Sequence, residues 1–97
     1  ARVIHRQKGD LIKAEGLARE ALRIRTFLFD SHHHNIEASS DLLARILRMQ
    51  NKFGDETNCS YERSLAILIR NHGSDGLDTA VGHLNISKFY YQLALVF

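Results

Sequence analysis

Three histidines in a row, His32-His33-His34, and a single cysteine, Cys59, are the side chains with the most obvious chemistry. Imidazole and thiolate both ligate zinc, and a thiol beside an imidazole can act as a nucleophile. The spacing speaks against both. Consecutive residues on a loop rarely converge on one ion, and the other available ligands, Cys59, His5, His72 and His83, stand at no metal-ligand spacing from the triplet. The expectation is no metal and no cofactor, with the triplet an ordinary connector. A Cys–His pair needs a pocket and a third, orienting group, and the sequence specifies neither; Cys59 reads as a small buried residue at a helix contact. Gly73-Ser74-Asp75-Gly76 lacks the lysine and the strand of a phosphate loop. Phe89, Tyr90 and Tyr91 suit a core and a groove wall better than a base-stacking platform. With no catalytic constellation, the chain is not expected to be an enzyme.

Composition narrows the field further. At 97 residues the chain fits one small domain, and 44% hydrophobic with 25% charged residues is ordinary for a globular protein. A net charge of +2 is too weak to imply nucleic acid. No apolar run approaches the ~18 residues of a membrane span, and the start, Ala1-Arg2-Val3-Ile4-His5-Arg6, is no signal peptide. A lone cysteine forms no internal disulfide, which points to a reducing, cytoplasmic setting.

The elements that must position any binding residues emerge from an internal repeat. Shifted by 43, the sequence matches itself: Ala1, Ala44 and Ser87 coincide, as do Arg2, Arg45 and Lys88, then Val3, Ile46 and Phe89. Leu22 meets Leu65, Ile24 meets Ile67 and Leu43 meets Ile86. Each unit reads as two helices. Ala14, Leu17, Ala18, Ala21, Leu22, Arg25 and Leu28 follow an i, i+3/i+4 stripe, apolar except at Arg25. Gly9-Asp10 is a plausible break before it, and Gly54-Asp55 repeats that break. After a loop over Asp30–His34, Asn35 is expected to cap a helix carrying Leu42, Leu43, Ile46, Leu47 and Met49. Tyr61, Ser64, Leu65 and Leu68 mark the next helix, and a last one runs from near Asp78. The fold class is all-α: an α-α solenoid of about five antiparallel helices, with a partial helix over 1–8 and hairpins over 10–51 and 54–97. Because repeat stacks need polar end caps, 1–97 is expected to form one segment of a longer array.

The stretch from Ala1-Arg2-Val3-Ile4 through Lys8-Gly9-Asp10-Leu11-Ile12-Lys13-Ala14-Glu15 to Arg19-Glu20-Ala21-Leu22-Arg23-Ile24 resembles a tetratricopeptide repeat of the long kinesin-light-chain type. Gln50-Asn51-Lys52-Phe53, Tyr61-Glu62-Arg63-Ser64-Leu65-Ala66-Ile67, Gly73, Asn85-Ile86 and Tyr90 continue the likeness, with Thr57 standing where the family pattern has alanine. In such stacks the first helix of each unit lines a concave groove. Carried over, the resemblance implies groove columns Arg2, Arg45 and Lys88; His5, Arg48 and Tyr91; and Arg6, Met49 and Gln92, with Asn85 where the family often bonds a ligand backbone. Within each helix the i, i+3, i+4 spacing puts one residue of every column on one face: Arg2, His5 and Arg6; Arg45, Arg48 and Met49; Lys88, Tyr91 and Gln92. Five of the nine are cationic in a chain close to neutral, so the expected partner is an extended, acidic protein or peptide segment, and neither nucleic acid nor membrane. Two alternatives stay open: the charges are ordinary solvated pairs, for instance with Asp41, or the repeats act as structural spacers in a larger protein.

Overall fold

The computed structural model describes residues 2–96, with side chains described from Gln7 to Val96. The described residues form four α-helices: α1 (Arg2–Leu28), α2 (His34–Met49), α3 (Asp55–His72) and α4 (Leu77–Val96). Short loops turn each helix back on its predecessor, so that α1 packs on α2, α2 on α3 and α3 on α4. None of these helices is long and apolar enough to cross a membrane.

The sequence repeat is visible in the helix boundaries. α2 begins at His34 and α4 at Leu77, 43 residues apart, and α1 and α3 end at the matching points Leu28 and His72 to within one residue. The break expected at Gly9-Asp10 is missing: α1 runs through it, so the count is four helices rather than about five, with no separate helix over 1–8. The second unit shows why. There the chain leaves α2 through Asn51 at φ 60°, a left-handed conformation that Asn tolerates. The Thr57 hydroxyl then donates to the Lys52 carbonyl at 2.6 Å, and Gly54 precedes α3. One repeat earlier the corresponding residues are Lys8, Ala14 and Leu11. None supplies a left-handed residue, a hydroxyl or a glycine, so only Gly9 opposes helix there.

Two apolar clusters flank α2. Leu43, Ile46 and Leu47 pack with Ala18 of α1, and Ala14 and Leu22 close over them. On the other side Ala44 meets Tyr61 of α3 and Phe89 of α4, with Phe53 and Ile86 against them. Arg25, the one break in the α1 stripe, donates to Ser39 Oγ at 2.9 Å and to the Asn35 carbonyl at 3.2 Å, stitching α1 to the start of α2. Farther along α1, Glu15 accepts from Lys52 Nζ at 2.9 Å, Gln50 Nε2 at 2.8 Å and Arg19 Nε at 2.9 Å. These bonds, that from Lys52 first, hold the Glu15 carboxyl down at about 2. The expected cap at Asn35 is displaced to His33, whose Nδ1 accepts the Asn35 backbone N–H at 3.1 Å. His33 also stacks on Phe29 and His34, at 4.1 and 4.4 Å between ring centroids.

Candidate functional site

Among the residues picked out by the sequence, the structure brings together those of α2 and α4. The two helices start one repeat apart and side-chain bonds link them directly. Asn85 Nδ2 donates to Asp41 Oδ1 at 3.0 Å, and Arg48 Nη1 donates to Gln92 Oε1 at 3.1 Å. Gln92 Nε2 in turn donates to Asn51 Oδ1 at 3.3 Å, tying α4 to the end of α2. Behind this seam, Arg48 Nε donates to the hydroxyl of Tyr61, a side chain buried in the core. Burial pushes the Tyr61 hydroxyl up, and the Arg48 bond partly offsets it.

The seam opens into a cleft of about 410 Å³ lined by Arg48, Ser87, Lys88, Tyr91, Gln92 and Leu95. Lys88 and Tyr91 are exposed on it, while Arg48 and Gln92 are half-buried and held. Its lining joins two cations, one held and one exposed, to an aromatic face and an aliphatic edge, groups that can accept a carboxylate.

The remaining candidates fall elsewhere. Arg45 is engaged with Asp41 through an i, i+4 ion pair, Nε to Oδ2 at 3.0 Å, as the alternative of ordinary solvated pairs had it. Met49 turns away from the seam into a separate cleft with Lys8, Leu11, Ile12, Gln50 and Asn51. The side chains of Arg2, His5 and Arg6 lie outside the described residues.

The sequence reading missed an acidic cleft on the same side of the molecule. Glu37, Asp41 and Asp78 line a space of about 340 Å³ together with His34, His72, Asn85 and the apolar Ala38, Leu68, Val81 and Gly82. The Glu37 carboxyl is pushed up, chiefly by burial and further by Asp41 and Asp78, against the Ser64 hydroxyl that donates to it at 3.0 Å. The face is thus divided: acidic toward the starts of α2 and α4, basic toward their ends. The i, i+4 pair Glu37–Asp41 was the available signal, but neither Asp78 nor the depth of Glu37 could be placed without the fold.

His32, His33 and His34 line a broad cleft with Asp30, Arg70, Asn71 and His72. Among the described residues no three His, Cys, Asp or Glu side chains are gathered as a metal site. Cys59, expected to be buried, is exposed. α3 buries Thr57, Tyr61, Ser64 and Leu68, which recur every three or four residues, and position 59 falls on the opposite face. No family model matches the chain, and no curated protein or solved structure matches it either.

Proposed function

We propose that this chain is a segment of a tetratricopeptide-type α-α solenoid, a non-catalytic interaction module. It holds an extended partner segment by its acidic residues on the face shared by α2 and α4. The reading rests on one observation above the others: two helices one repeat apart place Arg48, Lys88 and Tyr91 around one open cleft. Lys88 supplies an uncommitted cation, and Arg48 a guanidinium already oriented by Tyr61 and Gln92. Such an arrangement recognises carboxylates without a cofactor and suits a protein partner in the cytoplasm. The acidic cleft restricts where that partner can lie, because a uniformly acidic segment is repelled from Glu37, Asp41 and Asp78.

The spacer reading draws support from a different observation. Arg45 is spent on Asp41 and Arg48 on Tyr61 and Gln92, as in a scaffold that satisfies itself. Lys88 separates the two, because it is exposed and its reversal leaves the core intact. Fluorescence anisotropy with a labelled acidic peptide should show binding that weakens with salt. Lys88→Glu should weaken it by about tenfold or more, as a repelled charge replaces an attracted one. Equal binding by wild type and Lys88→Glu would leave the spacer reading in its place.

A further inference from the structure

Arg70, near the end of α3, is exposed and has no hydrogen-bond or ion-pair partner among the described residues. It lines the broad cleft, of about 690 Å³, between the α1–α2 connector and the end of α3. Four imidazoles share that cleft: His32, His33 and His34 from the connector and His72 from α3. Its two walls are tied together, because Asn71 Nδ2 donates to the His32 carbonyl at 2.9 Å. Proton positions show what the cleft offers a ligand. His33 Nδ1 accepts the Asn35 N–H, so the neutral ring carries its proton on Nε2 and is a donor there. His72 Nε2 lies 3.4 Å from Asp78 Oδ2, so that nitrogen also bears a proton. Asp30 is the one carboxylate in the lining among the described residues, and its Oδ1 accepts the His32 backbone N–H at 2.9 Å. The His33 lone pair is spent and the guanidinium repels a metal ion, so the cleft is an array of donors that suits an anion.

We propose that this cleft is a further binding site, for the phosphomonoester of a phosphorylated side chain on a partner segment. It shares no lining residue with the cleft of Arg48 and Lys88 and does not rest on that reading. Charge favours this ligand. Arg70 balances Asp30 while the rings are neutral, and each proton a ring takes up adds a positive charge. A dianion gains more from that charge than a carboxylate does, and its three terminal oxygens match donors arriving from two walls. The lining also decides what carries the phosphoryl group. It has no aliphatic side chain to seat an acyl chain. The His33 ring that could stack on a nucleobase is already stacked on Phe29 and His34. The space is large enough for the phosphoryl group together with the short side chain that bears it. Neighbouring charges set the pH dependence. The connector supplies Asp30 and three rings, α3 supplies Arg70 and His72, α4 supplies Asp78, and Glu37 of α2 lies within reach of the His72 charge. Protonated rings strengthen anion binding, and Asp30, Asp78 and Glu37 oppose it. Binding should therefore tighten as the pH falls from about 8 toward 6.5, and stop gaining where the monoester itself takes up a proton, near about 6.

The probe is phosphoserine blocked at both ends, titrated at low salt into the isotope-labelled whole chain while the imidazole signals are followed. Those of His32, His34 and His72 should shift together and saturably, with a Kd of about 1 mM or tighter. His83, which does not line the cleft, should not move. Blocked serine should shift none of them. Arg70→Gln should weaken binding by about tenfold or more with an unchanged circular dichroism spectrum, since the exposed Arg70 side chain holds nothing else. Arg70→Lys should recover only part of the loss, because an ammonium lacks the planar fork. Lys88→Glu, the variant that tests the acidic-peptide cleft, should bind blocked phosphoserine as wild type does, so the two readings stand or fall separately. Equal binding by Arg70→Gln, loss of binding in Lys88→Glu, or His83 shifts as large as those of the cleft rings would each overturn the proposal. Tighter binding of adenosine monophosphate or inorganic phosphate than of phosphoserine would overturn its assignment to a phosphorylated side chain.

Discussion

Glu37 is a carboxylate that the fold crowds rather than pairs. Half-buried on α2, it keeps its carboxylate beside Asp41 and Asp78 and accepts one hydrogen bond, from Ser64. Burial, and then the neighbouring acids, raise its folded-state pKa above the ordinary 4.5. A carboxyl raised in this way favours folding most when protonated, below its unfolded value, and the advantage is lost as pH rises through the folded value. Glu37→Gln keeps an oxygen for Ser64 and removes the charge. The variant should therefore be at least as stable as wild type at pH 7, with the gap narrowing as the pH falls through the raised folded value and closing by about 4.5. Urea melts of both chains across pH 4 to 8 measure this, and a Gln variant clearly less stable at pH 7 would show that the carboxylate is paired rather than crowded. Arg48 is the opposite case. As a bare surface cation it would tolerate reversal, but its bond to the buried Tyr61 hydroxyl makes Arg48→Glu costly to the fold. Lys88 is consequently the cleaner probe of binding.

At the scale of elements, α2, α3 and α4 were legible because their apolar residues recur at helical spacing and their ends carry recognisable punctuation. The 43-residue period placed the start of α4 from that of α2. The opening of the chain was misread, because a Gly-Asp pair was given the weight of a break while its supporting residues were absent. A glycine inside a helix weakens it but does not by itself end it. That difference is open to experiment. Beyond its chain neighbours and the helix's own backbone, nothing lies within 4 Å of where a Cβ at Gly9 would sit. If α1 is continuous, Gly9→Ala should stabilise the chain by about 0.5–1 kcal/mol. Thermal melts should then show a small rise in Tm, and a loss of stability would restore a turn between two helices there. The cap of α2 was missed for a related reason. Asn35 is the stronger capping type, but the stack of Phe29, His33 and His34 holds the His33 ring where its Nδ1 can do the work instead. Such stacking leaves no trace in sequence spacing.

For the whole molecule, the decisive property is the distribution of charge on the face shared by α2 and α4. The 43-residue period aligns Arg45 with Lys88, and the tetratricopeptide resemblance added the neighbours Arg48, Tyr91 and Gln92. Neither could tell a committed cation from an available one, since Arg48 is held by partners brought from other helices, Tyr61 and Gln92. On the proposed reading, acidic-peptide recognition belongs to the end of the face where Arg48, Lys88 and Tyr91 meet, away from the cleft of Glu37, Asp41 and Asp78. The most direct test is an amide chemical-shift titration of the isotope-labelled chain with an acidic peptide at low salt. The account predicts saturable shifts gathered at Arg48, Ser87, Lys88, Tyr91 and Gln92, fading in Lys88→Glu, with Glu37, Ala38 and Asp78 unmoved. Shifts that centre on the acidic cleft, or that scatter over the outer surfaces of α1 and α3, would contradict it.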